Sequence, residues 1–176
     1  MAEAFEISGP TGVLLKVRGG AFVEFGRSDG ENRISFEPDI LSREVMADED
    51  GLAPSEIIHL GMRGLLTMEL VKWDRVLLQN LWNTIPRSAL TADTDLHAGD
   101  VGRLWSTNTT GIGFFGIQVK PDLTDTRVIR SFEKCYLSGN DAIREAEIGN
   151  DKTVLRLSFN ILRDGNGDLY VKTATA

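Results

Sequence analysis

Lys152–Arg163 reads KTVLRLSFNILR, and the reading of this stretch decides the fold. Thr153, Leu155, Leu157, Phe159 and Ile161 share one parity, while Val154, Arg156, Ser158 and Asn160 share the other. An alternation of period two sends successive side chains to opposite sides of an extended chain, so the stretch predicts a strand with one buried face. Asp164–Asp168 follows as a turn and Leu169–Thr173 as a last strand. The pair is expected to form a hairpin with a loop of about five residues.

The same alternation recurs upstream. Val128–Leu137 is a strand candidate, and Thr110–Lys120, TGIGFFGIQVK, reads as a glycine-interrupted strand. In Gly61–Lys72, Met62, Leu66, Met68 and Leu70 face one way and Arg63, Thr67 and Glu69 the other. Near the start, Val13–Arg18 and Ala21–Phe25 are strands around a Gly19-Gly20 turn. Arg33–Glu37 is a third, ended by Pro38, and Arg43–Ala47 a candidate fourth. Ala142–Gly149 reads either as a helical turn or as an extended link.

One segment has helical spacing. Asp74 is placed as an N-cap, Leu77, Leu78, Leu81 and Trp82 form an apolar stripe, and Pro86 stops the pattern, giving a short helix over about residues 74–84. Residues 87–110 are polar and turn-rich around Trp105. With no linker and no internal repeat, residues 1–176 are expected to be a single, mainly antiparallel β domain with one helix (α+β), long enough to bury its own core.

Composition narrows the function classes. A single cysteine, Cys135, excludes an intrachain disulfide, and two histidines make a structural zinc site improbable. The beginning of the chain has neither the basic nor the apolar part of a secretory signal, and no apolar run is long enough to span a bilayer. A soluble protein made in the cytosol is expected, with no membrane partner. The formal net charge is −7, which is unfavourable for gripping phosphates. That charge is concentrated: Asp29–Glu56 carries nine acids against two bases, and the remainder 17 of each. The stretch is either a solvated acidic loop or a surface that repels DNA or meets a basic partner.

No motif carries chemistry. Gly111, Gly113 and Gly116 match GxGxxG, but strand formers follow where a dinucleotide site needs a helix. Asp164, Asn166 and Asp168 open like a calcium loop, yet Leu169 and Thr175 occupy the positions that require glycine and a bidentate acid. Asn108-Thr109-Thr110 is a glycosylation sequon without a secretory context. His59 and His97 stand alone, Cys135 reads as a small packing residue, and Asp48 and Asp50 sit in a glycine-closed loop. No catalytic residue, metal or cofactor is assigned, and an enzyme is not expected.

Arg43–Leu81 reads REVMADEDGLAPSEIIHLGMRGLLTMELVKWDRVLLQNL. It resembles the tail tube proteins of tailed phages. In both, an acidic, glycine-bearing loop leads through a proline (here Gly51, Pro54 and Ile58) to a strand (Gly61–Leu70). A leucine-bearing helix opened by an acid follows (Asp74 with Leu77, Leu78 and Leu81). Arg130–Cys135, the link ending at Ile148-Gly149 and the strand TVLRLSFNILRD are also similar to that family. The resemblance implies an antiparallel β-sandwich or barrel-like subunit, six of which join their sheets into a ring.

Such rings stack into a hollow tube through which DNA passes without specific binding. The implied partners are further copies of the chain and the tape-measure, sheath, terminator and baseplate proteins. The implied location is the virion tail, assembled in the host cytoplasm. On that reading Glu31, Glu37, Asp39 and Glu44 are candidate lumen-facing acids, and Asp48, Glu49, Asp50, Gly51 and Pro54 a candidate ring-to-ring contact loop. The alternatives are a tail terminator, connector or baseplate ring protein of the same particle, the tube of a related contractile injection system that delivers no DNA, or, from a different class, a monomeric β-sandwich binding module using Trp73, Trp82 or Trp105 as platforms.

Overall fold

A computed structural model describes residues 4–17, 20–29, 33–46, 54–82, 114–121, 129–137, 143–145 and 154–173. Among these residues the chain is mainly β with one short helix, as the alternation predicts. The strands are β1 (Phe5–Ser8), β2 (Thr11–Val17), β3 (Val23–Ser28), β4 (Arg33–Met46), β5 (Pro54–Leu70) and β6 (Lys72–Trp73). After helix α1 (Arg75–Trp82) come β7 (Phe115–Pro121), β8 (Ile129–Leu137), β9 (Ile143–Glu145), β10 (Leu155–Ile161) and β11 (Val171–Thr173). Ala142–Gly149, open between helical turn and link, therefore contains a strand.

All 11 strands belong to one sheet, in the order β1-β4-β5-β10-β8-β7-β2-β3-β6, with β9 beside β10 and β11 beside β8. Every pairing is antiparallel. The path is open, with β1 and β6 at its ends, but it curls back on itself. Only Val71 separates β5 from β6; its N–H donates to the Arg27 carbonyl at 2.9 Å. Beside it, Gly26 pairs with Trp73 and Arg27 with Lys72. This two-pair seam brings β3 against the end of β5, so the sheet wraps one core without a fully paired closure.

The core is the inward parity of these strands. From β10 it takes Leu155, Leu157, Phe159 and Ile161; from β5, Leu66, Met68 and Leu70; from β4, Ile34 and Phe36; and from β7, Phe115, Ile117 and Val119. At one end Phe36, Phe132 and Tyr170 meet with ring centroids 5.3–5.5 Å apart. Phe5 stacks on Phe36 at 5.6 Å, and the Arg130 guanidinium lies 4.3 Å over the Phe5 ring. Edge-to-face and offset aromatic pairs add stabilisation beyond area burial.

Helix α1 begins where its cap dictates. The Asp74 carboxylate accepts the N–H groups of Val76 at 2.7 Å and Leu77 at 3.0 Å, satisfying donors that a helix start leaves orphaned. Leu81 is fully buried and Leu77 and Leu78 pack beside it, so the apolar stripe faces the barrel. The described helix runs Arg75–Trp82 with Asp74 outside it as the cap, and residues 83 and 84 of the expected range lie outside the described residues.

Two expectations are corrected. Pro38 does not end a strand: β4 runs unbroken through it, merging the third and fourth strands read from sequence. β1 ends opposite Phe36, so among the described residues β4 has β5 alone as partner beyond that point. A proline is tolerated where one side of a strand is free, because its missing N–H can face that side. Nor do the last two strands form a hairpin. β11 pairs with β8, because β10 already has β5 on one side and β8 and β9 on the other.

The turn at Asp164–Asp168 is present. The Asp164 carboxylate accepts the N–H groups of Asn166 at 2.8 Å and Asp168 at 2.9 Å, the geometry of a side-chain-closed turn.

Candidate assembly interface

The longest feature of the molecule is the β4–β5 ladder. Its inner part, from Ile34↔Met68 to Glu37↔Leu65, belongs to the barrel, because β10 covers the other side of β5 from Leu70 to Gly64. Beyond Gly64, β4 and β5 have only each other among the described residues. From Arg63 back to Pro54, ten residues of β5, eight of them paired with β4, form one strand of a two-stranded arm about 30 Å long.

The arm is not a simple extension of the body. The ladder slips between Leu41 and Ser42, where Leu60 is left unpaired, and again between Val45 and Met46. Gly61, at the first slip, has φ +134°, a conformation that side-chain-bearing residues rarely adopt. Bulges of this kind bend and twist a strand pair. Gly64 marks the root. A Cβ there would overlap the Phe36 ring, so glycine lets the core aromatic lie flat beneath the strand.

Residues paired across the ladder share a face. One face carries Ser35, Thr67, Glu37, Leu65, Asp39 and Arg63, and continues into Arg43, Ile58, Val45 and Glu56. Within the barrel this is its outer, polar wall. The Ser35 and Thr67 hydroxyls lie 2.6 Å apart. Arg63 Nε donates to Asp39 at 2.8 Å, Arg156 to Glu69 at 2.8 Å, and Arg33 lies 3.4 Å from Glu6. The opposite face continues the core parity past the end of the core, through Ile40 and Met62 to Glu44 and Ile57.

Large apolar side chains are therefore left in solvent. Ile40 is 64% exposed, Ile57 63%, Leu60 60% and Ile58 46%. Scattered single cases are ordinary, but four on one thin projection are not. A lone two-stranded ribbon is also marginal in water, and among the described residues no further strand pairs with its outer edges. The arm has the chemistry of a surface made to be covered.

The candidate lumen acids divide on this framework. Glu37 and Asp39 lie together on the outer wall, exposed, while Glu44 alternates onto the other face, farther along the arm. Glu31 lies outside the described residues, as do Asp48, Glu49, Asp50 and Gly51 of the candidate contact loop; Pro54 is the first residue of β5. The charge along this wall is milder than the sequence count suggests, because Arg63, outside the acidic stretch, neutralises Asp39 across the ladder. The arm itself, with its exposed isoleucines, was not singled out from sequence; the available signal was the apolar pair Ile57-Ile58 before Gly61.

The residues weighed for other chemistry are placed as follows. Gly116 lies inside β7, paired with Lys16 of β2 but skipped in the β8 ladder at a register shift, and the strand continues after it to Pro121; Gly111 and Gly113 are outside the described residues, as are His97, Trp105 and Asn108. Cys135 is fully buried, and that burial pushes its thiol well above the usual range, Glu133 adding to the effect against a backbone bond at Ile117. A buried, protonated thiol is a packing group and not a nucleophile. Trp73 packs half-buried against the core, so it offers no open platform. Among the described residues no three His, Cys, Asp or Glu side chains are grouped to hold a metal, and no helix is long and apolar enough to cross a membrane. Neither a family model nor a curated protein matches the chain.

Proposed function

We propose that the chain is a structural subunit that assembles with copies of itself into rings, six to a ring, and that the rings stack into the hollow tube of a phage tail. The observation that carries this reading is the β4–β5 arm: a bulged, two-stranded projection with exposed isoleucines and, among the described residues, no third strand beside it. Covering such edges by pairing with a neighbour removes a standing aggregation hazard. Contact between two different patches on one chain generates a ring whenever the rotation closes. The polar wall bearing Glu37 and Asp39 suits a lumen, where matched ion pairs and exposed acids let DNA slide without adhering. The arm suits contact with adjacent subunits and rings. Tape-measure, sheath, terminator and baseplate proteins are the partners this role entails, and the virion tail its location.

The test is negative-stain electron microscopy of the purified chain, with light scattering beside it over a range of salt. Hollow tubes or stacked six-fold rings are expected. A chain that stays monomeric at high concentration overturns the reading and brings a binding module forward. Single rings that never stack assign it instead to a terminator or connector.

A further inference from the structure

We propose that the acidic arm of one copy docks into a basic notch at the root of the arm of the next copy. The inference rests on the ring-forming reading and assigns the contact that closes the ring. The notch lies in the angle where the arm leaves the barrel. One wall is the arm root, Leu41, Leu60, Gly61 and Met62; the other is the body, Phe114, Lys134, Leu162 and Arg163. The Leu162 N–H donates to the Lys134 carbonyl at 2.9 Å, which holds the body wall together just past the end of β10.

Charge distinguishes the two surfaces. Lys134 and Arg163 form no ion pair among the described residues. Neighbouring Asp164 is turned into its own loop, where it accepts two backbone N–H groups. Among the described residues of the arm, Asp39, Glu44 and Glu56 stand against Arg43 and Arg63, and Arg63 is already paired with Asp39. Glu44 and Glu56 are exposed near the far end, on opposite faces of the ribbon, and neither is ion-paired among the described residues. Each stands with an isoleucine, Ile57 directly across from Glu44 and Ile58 two positions from Glu56 on the same face. Arg43 shares the face of Ile58 and Glu56, so the face that fits is the other one, on which Glu44 and Ile57 arrive together at a cleft of apolar walls and two cations. Apolar walls on both sides suit an incoming strand pair and not a phosphate backbone.

A copy's own arm cannot turn back into its notch. Leu41 lines it and Val45 marks the position of the acids. Those four residues of paired strand span about 13 Å and point the acids away from the root. The occupant is therefore a second copy, and because arm and notch are different patches the contact is head-to-tail, the type that closes rings.

Charge reversal in trans tests this by sedimentation velocity and electron microscopy. Glu44→Lys/Glu56→Lys puts like charge on arm and notch, and Lys134→Glu/Arg163→Glu does the same with the opposite sign. Each variant alone is expected to lose assembly by at least about tenfold in concentration, since rejecting a like-charged partner costs several kcal/mol. An equal mixture is expected to recover it, because each arm then faces a notch of opposite charge around an even-numbered ring. Either reversed variant assembling like the parent protein, or a mixture of two folded variants that stays dispersed, overturns the docking while leaving ring formation by the parent chain intact. A parent chain that never assembles overturns both. Glu44→Gln/Glu56→Gln, which removes charge without reversing it, gives a smaller loss of the same sign and keeps the test decisive if reversal disturbs folding.

Discussion

β4 and β5 run from the body of the sheet into the arm, yet the two regions obey different rules. Between Ile34 and Phe36 on β4, and Leu66 and Leu70 on β5, the inward residues are wholly buried. Only a few residues farther along the same strands, Ile40, Ile57 and Leu60 stand in solvent. The sequence character hardly changes; the neighbours do. β1 flanks β4 only as far as Phe36, and β10 flanks β5 only as far as Gly64. Burial here is a property of which strand lies alongside, and a strand that outruns its flanks acquires an interface instead of a core.

If that contrast is right, substitutions should separate stability from assembly, and the largest effect belongs to the barrel. Phe132→Ala opens a cavity in the aromatic cluster with Phe36 and Tyr170. It should cost about 3–5 kcal/mol of unfolding free energy in a denaturant titration. Gly64→Ala sits at the border between the regions. Its methyl group must displace the Phe36 ring, and a loss of about 1–3 kcal/mol is expected in the same titration; no loss would mean that the root is looser than its contacts imply.

Asp74→Ala removes the cap of α1 and should cost about 1 kcal/mol, read as a lowered melting temperature. Asp39→Asn breaks an exposed pair with Arg63. It should cost less than about 1 kcal/mol, with the difference fading as salt is raised. Smallest in stability and largest in assembly is Ile57→Ser/Ile58→Ser. On two exposed positions it should move unfolding by no more than about 0.5 kcal/mol per site, while ring or tube formation falls away in light scattering. A large drop in stability from that pair would place the arm inside the body's cooperative fold and remove the contrast.

Where the sequence was readable, it was so for a local reason. Alternation in Leu155–Ile161 and helical spacing after Asp74 are written within the segment itself, and both elements stand close to where they were expected. What escaped depends on partners distant in sequence. Pro38 looked like a terminator because nothing local says that its other side is free. Leu169–Thr173 looked like a hairpin partner because nothing local says that β10 is already flanked on both sides. The charge count had the same weakness: Asp39 belongs to the acidic stretch, but Arg63 answers it from across the ladder. For the interface, Glu37, Asp39 and Glu44 were singled out by charge, yet only the register shows that the first two share a face and the third does not. The arm depends on where two flanking strands stop, a fact carried by no single segment.

The central claim is that the arm is dispensable for folding and required for assembly. The most direct measurement joins Leu41 to Gly61 through an Asn-Gly turn, which suits a tight hairpin, and follows thermal unfolding and sedimentation beside the parent chain. The expected result is a shortened chain that melts cooperatively near the parent temperature and sediments as a monomer, while the parent forms rings or tubes. A shortened chain that still assembles, or that no longer folds, would contradict it.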